Sequence, residues 1–214
     1  NLANADLSDS KITADGNYTS TTIDFTQANL ANADLSGSEI TADGKYGATI
    51  AFTQANLAHA DLSGSEITAD GNGASTTDFR IASTIDFTQA NLANADLSDS
   101  KITADGNYGT QANLTHADLS GSEITAGANY GATIAFTQAN LANANLSGSE
   151  ITADATTGFA TIDFTQANLA NADLSGSKIT AFADGGAGSY GATIDFTEAI
   201  LANADLSGLE LTAE

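Results

Sequence analysis

The chain has 214 residues, 42% hydrophobic and 7% aromatic, with no proline, cysteine, methionine or tryptophan, and its 27 Asp plus Glu against 5 Lys plus Arg give a formal net charge of -22. Such a charge excludes a nucleic-acid binder or a ligand of anionic membranes, both of which need cationic surfaces, and it favours cations or basic proteins as partners. The absence of cysteine excludes disulfides and thiolate metal sites, and no apolar run approaches the length of a membrane-spanning helix, so no membrane insertion is expected.

Acidic chains with few aromatics are often disordered. Here the apolar residues are too regularly placed for that. The sequence starts at Asn1, with neither an initiator Met nor a signal-peptide pattern, so a processed chain or a segment of a longer one is expected. It opens inside a repeat, where Leu2, Leu7 and Ile12 stand five apart. Residues 22–41, TIDFTQANLANADLSGSEIT, carry the first complete unit. In it Phe25, Leu30, Leu35 and Ile40 recur at every fifth position, and Ile23, Ala28, Ala33 and Ser38 lie two places before them. Period five fits neither an amphipathic helix nor a plain strand. It suits a chain that turns a corner every five residues, so that four steps close one coil. The small and the large residue of each step point inward and the rest point outward.

The unit then recurs to the end of the chain. The third face carries Leu7, Leu35, Leu62, Leu97, Leu119, Leu146, Leu174 and Leu206. The fourth carries Ile12, Ile40, Ile67, Ile102, Ile124, Ile151, Ile179 and Leu211. Eight coils at a sheet spacing of about 4.8 Å make a rod about 35–40 Å long, a single domain over residues 1–214. The passage from face four to face one is longer than the repeat demands, with ADGKYGA as an example at Ala42–Ala48. Its Gly and Asp suit tight turns, so loop insertions are expected at one corner, the edge where solenoids often bind. The join from Ile102 to Leu114 lacks the TIDF segment, so the fifth coil must improvise its first face.

The triplets Ala28-Asn29-Leu30, Ala33-Asp34-Leu35 and Ala55-Asn56-Leu57 match the motif A(D/N)LXX, in register along nearly the whole chain. In this the sequence resembles the pentapeptide-repeat family. The resemblance implies an all-β fold, a right-handed four-sided parallel β-helix. It does not imply one role, because the family's functions are mixed.

Stacking turns each repeat position into a ladder. On face three the ladder reads Asp6, Asp34, Asp61, Asp96, Asp118, Asn145, Asp173 and Asp205. One reading makes it a row of cation sites, Ca²⁺ above all, with Asp34, Asp61, Asp96 and Asp118 as the candidate ligands. The other makes each Asp a partner of local backbone. Stacked like charges are expected to raise these carboxylate pKa values. Face two carries Asn29, Asn56, Asn91, Asn113, Asn140 and Asn168, read as a structural amide ladder. Face four alternates Lys11, Glu39, Glu66, Lys101, Glu123, Glu150, Lys178 and Glu210, with a Thr row from Thr13 to Thr212 beside it. Tyr18, Tyr46, Tyr108, Tyr130 and Tyr190 share nearly one corner position, either covering the apolar corner or forming an exposed row. His59 and His116 are read as surface residues.

No nucleophile–base pattern, phosphate loop or zinc spacing is present, so no enzyme is expected. The leading reading is a structural or adhesive solenoid, a unit of an extracellular or cell-surface fibre, sheath or stalk that stacks head to tail on copies of itself. The alternatives are an acidic, DNA-mimicking module that binds a topoisomerase-type protein, which could equally work in the cytoplasm, and an ice-binding protein built on the Thr row.

Overall fold

A computed structural model describes residues 1–17, 19–71, 83–87, 90–106, 110–113, 117–119, 121–128, 131–184 and 189–214. Among these residues there is no helix. Eight parallel strands stack in chain order as one sheet: Lys11–Gly16, Glu39–Gly44, Glu66–Gly71, Lys101–Gly106, Glu123–Ala128, Glu150–Ala155, Lys178–Ala183 and Glu210–Ala213. This sheet is face four. Seven more form face one: Thr21–Asp24, Ala48–Ala51, Ser83–Asp86, Thr110–Asn113, Gly131–Ala135, Gly158–Asp163 and Ser189–Asp195. Faces two and three are narrower, held by single bridges such as Asn29 to Asn56 and Asp34 to Asp61. Among the described residues the core positions of face four lie on their equivalents, as Ile12 on Ile40 and Ile67 on Ile102, and the one register shift on face one falls between Gly158 and Phe159. The chain is therefore a parallel β-solenoid of eight rungs. Among the described residues six coils carry four regular faces, and the fifth has an irregular face one.

The predicted inward register is what the structure shows. Leu35, Leu62, Leu97, Leu119, Leu146 and Leu174 are fully buried, as are Ile40, Ile67, Ile102, Ile124, Ile151 and Ile179. The phenylalanines of face one stack ring on ring. Phe25, Phe52 and Phe87 have centroids 4.9 and 4.7 Å apart, and Phe136, Phe164 and Phe196 have centroids 4.6 and 4.7 Å apart. Buried serines close the third corner from inside: Ser100 Oγ donates to the Leu97 carbonyl at 2.6 Å, and Ser149 Oγ to that of Leu146 at 2.7 Å.

Two expectations are corrected. The insertion Ala42–Ala48 is mostly strand, not loop. Ala42 and Gly44 point inward and Asp43 outward, a two-residue alternation that extends the face-four strand, while Ala48 opens the face-one strand. Only the turn at 45–47 remains, so faces four and one are broader than faces two and three. Second, Asn113 is not on face two. The strand Thr110–Asn113 replaces the missing TIDF of coil five, placing Gln111 on Thr84, Ala112 on Ile85 and Asn113 on Asp86. An unoccupied rung would strand the backbone groups of its neighbours, so the nearest extendable residues are recruited. Leu114, and most of the long insertion between Ile67 and Phe87, lie outside the described residues.

The corners need left-handed backbone. Gln27 has φ 57°, Asn32 φ 54° and Gly37 φ 63°, and each type repeats up the stack. Asn tolerates this region better than most residues, whereas Gln27 and its equivalents adopt it without that advantage. At the third corner Gly predominates, although Asp9 and Asp99 also occupy it at φ 52° and 55°.

Candidate functional site

Among the described residues the candidate surfaces are the outward ladders and the two end coils. The face-three column is assembled as predicted: Asp6, Asp34, Asp61 and Asp96 bridge one to the next, and Asp96 pairs with Asp118. What each carboxylate does is local. Asp34 Oδ1 accepts from the backbone N–H of Ser36 at 3.0 Å and from its hydroxyl at 2.6 Å. Asp61 does the same with Ser63, at 2.9 and 2.6 Å. Asp96 and Asp205 accept from Ser98 and Ser207, both at 2.9 Å. This is the Asx turn that carries the chain round the third corner. Among the described residues no three acidic or histidine side chains come together as a metal site. The side chain of Asp118 is outside the described set.

The pKa expectation reverses where a shift is resolved. The hydroxyl and backbone N–H of Ser8 hold Asp6 below the usual carboxylate range. The backbone N–H and hydroxyl of Ser207 do so for Asp205, and Thr26 for Asp24. Donors aimed at the charged form outweigh stacked charge that water screens. At Asp163 burial pushes the pKa up, but hydrogen bonds from Thr165 and Thr137 bring the balance down; Thr137 Oγ1 lies 2.7 Å from Oδ2. A carboxyl with a depressed folded pKa stabilises above its unfolded pKa, and that contribution is lost as pH falls through the folded value. The stability difference between wild type and Asp163→Asn should therefore be present at pH 6 and fade below about pH 4. Urea unfolding across that range measures it; a difference that grows on acidification would reverse the assignment.

Two sets of amide columns run with opposite polarity. On the corner column Gln27 Nε2 donates to Gln54 at 3.0 Å, Gln138 to Gln166 at 2.9 Å, and Gln166 to Glu198 at 2.7 Å, each toward the following coil. The asparagines donate backward: Asn56 to Asn29, Asn91 to Asn56, Asn168 to Asn140 and Asn203 to Asn171. On face four, Lys11 Nζ meets Glu39 at 2.6 Å and Lys178 Nζ meets Glu150 at 3.1 Å, both on the surface. Exposed pairs of this kind contribute little to stability and set register instead.

The Thr row of face four is half-buried between the Glu39 and Asp43 rows, so it is not a uniform flat surface. Tyr46 is exposed. Tyr18, Tyr108 and Tyr130 lie outside the described residues, as does the side chain of Tyr190. His59 is an exposed corner residue with φ 58°, and His116 lies outside the described set. Exposed Phe159 and Phe182, not singled out from the sequence, sit at outward positions of their strands.

The end coils differ most from the rest. In the seventh coil Leu169, Leu174 and Ile179 are fully buried. Their equivalents one coil later, Leu201, Leu206 and Leu211, are 37%, 43% and 52% exposed.

No family sequence profile matches the chain, and no curated protein matches it. Solved structures overlap it loosely. HetL, a pentapeptide repeat protein involved in heterocyst differentiation regulation from the cyanobacterium Nostoc, is 21% identical with a TM-score of 0.30, over 98% of this chain and 90% of that one. QnrB1, a plasmid-mediated fluoroquinolone resistance protein, is 17% identical with a TM-score of 0.24, over 94% of this chain and 92% of the full-length form. Overlaps this loose carry nothing about function; the architecture rests on the chain's own repeat and ladders.

Proposed function

We propose that this pentapeptide-repeat solenoid is a non-catalytic structural rod that stacks end to end on copies of itself, as a unit of an extracellular or cell-surface fibre, sheath or stalk. The parallel in-register stacking carries the reading: each face-four strand lies on its equivalent in the next coil, so a further coil stacked on the edge of one continues the same ladders. Such an edge is a template for another strand. A contact between two different ends does not close, so it produces an open filament. Near-identical coils with few reactive residues agree with a part that supplies length.

Charge opposes this assembly, because bodies of net charge -22 repel. Salt shortens the Debye length from about 30 Å at 0.01 M to about 8 Å at 0.15 M. Sedimentation at high protein concentration should therefore show end-to-end species that grow with salt, and micrographs should show thin rods with an axial repeat of about 38 Å. Monomers at every salt and protein concentration overturn the proposal.

A second reading is favoured by the rows of Glu39 and Glu66, and of Asp43 and Asp70, side by side on face four. A surface so lined suits a basic protein partner. It would give stoichiometric complexes in place of filaments.

A further inference from the structure

We infer that coil five is three-sided, short of its second face, and that it divides the solenoid into two blocks that open independently, coils one to four and coils six to eight. This holds for the single chain, whether or not rods associate.

Chain length fixes which face is missing. The passage from the fourth face to the first takes eleven positions from Ile40 to Ala51, from Ile102 to Asn113 and from Ile124 to Ala135. Asn113 therefore arrives on face one in step, and there it pairs with Asp86 and Ala135. The shortfall comes after it. From face one to face three the chain takes nine positions in coil four, Asp86 to Ala95, and nine in coil six, Ala135 to Ala144. In coil five Ala117 lies on Ala95, so Asn113 to Ala117 makes the same passage in four positions. The difference is one pentapeptide, the width of a face.

The ladders agree. Face one runs through coil five from Ser83–Asp86 to Thr110–Asn113 to Gly131–Ala135. Face three runs from Ala95–Asp96 to Ala117–Asp118, and face four from Lys101–Gly106 to Glu123–Ala128. Leu119 and Gly121 carry face three onward by donating to the Asn145 and Ser147 carbonyls at 2.8 and 2.9 Å. On face two, among the described residues, the bridges form two runs, Asn29 to Asn56 to Asn91 and Asn140 to Asn168 to Ile200, with none between them.

Solenoid rungs hold one another by nearest-neighbour contact, so cooperativity passes along the rod one rung at a time. Coil five passes it on with one ladder missing and another poorly copied. On face one Gln111 stands in the column of Thr84 and Thr133, and Ala112 in that of Ile85 and Ile134. Weak coupling at one rung lets the stretches on either side open as separate cooperative units. Leu92 and Leu141, on face two below and above coil five, are both fully buried. The core is thus closed in the folded state, and the missing face acts on opening.

Hydrogen exchange of the full chain, followed by mass spectrometry across a urea series, tests this. The wild type should show two groups of amides with different urea dependence. Glu39–Gly44 through Ser83–Asp86 belong to one, and Gly131–Ala135 through Lys178–Ala183 to the other. Inserting Ala-Thr-Ile-Asp-Phe, the segment at Ala160–Phe164, between Gly109 and Thr110 supplies a regular first face and returns Gln111–Leu114 to the second. The two groups should then merge and exchange several-fold more slowly. Ala112→Ile improves face one without adding a face, so with it two groups should remain. A single group in the wild type at every urea concentration overturns the inference, whether or not the insertion folds. Merging by Ala112→Ile alone would trace the division to the core and overturn the missing face, as would two groups persisting after a folded insertion.

Discussion

Leu97→Ala should cost about 2–5 kcal/mol of folding stability. Leu97 lies on face three of the fourth coil and is fully buried. Its neighbours in the column, Leu62 and Leu119, are equally buried, and its carbonyl receives the hydroxyl of Ser100 at 2.6 Å. Truncation removes apolar area and leaves a void between rungs that the ladder holds at fixed spacing, so little collapse can fill it. Leu206→Ala, the same change at a position 43% exposed, should cost far less in the monomer. Urea unfolding of both variants is the measurement; equal costs would show that the end coil is packed as tightly as the middle.

Phe52→Ala should cost about 3–5 kcal/mol. The Phe52 ring is the middle of a stack, 4.9 Å from Phe25 and 4.7 Å from Phe87, with interplanar angles of 11° and 2°. Removing it deletes two ring contacts as well as the ring's own burial, and aromatic pairs contribute about 0.5–1.5 kcal/mol beyond area. Phe25→Ala, at the open end of the same stack and only partly buried, should cost less. A smaller loss at Phe52 than at Phe25 would mean that the stack is not the stabilising feature it is taken to be.

The two estimates rest on a register that was legible in the sequence, because a period of five repeated through eight rungs leaves one way to point Leu35 and Ile40 inward. The breadth of faces four and one was less legible. ADGKYGA reads as turn residues one by one, and only the pairing of Asp43 with Asp70 reveals the strand they extend. Asn113 was misplaced for a related reason: its local triplet Ala112-Asn113-Leu114 matches the face-two motif, but the missing TIDF left a rung that had to be filled. The Asp column was correct in position, but at Asp6 and Asp205 the carboxyl pKa moves down and not up. Counting like charges overlooked the two donors that Ser8 brings to Asp6.

Coil five has a mechanical consequence. A rod built from rungs carries tension along its axis in series, so its strength is that of its poorest rung. At coil five Ala112 stands on Ile85 and beneath Ile134, and the two phenylalanine stacks, Phe25 to Phe87 and Phe136 to Phe196, stop on either side. With Ala112 in the place of the stacked isoleucines, a rod built of such coils is expected to yield first at this rung.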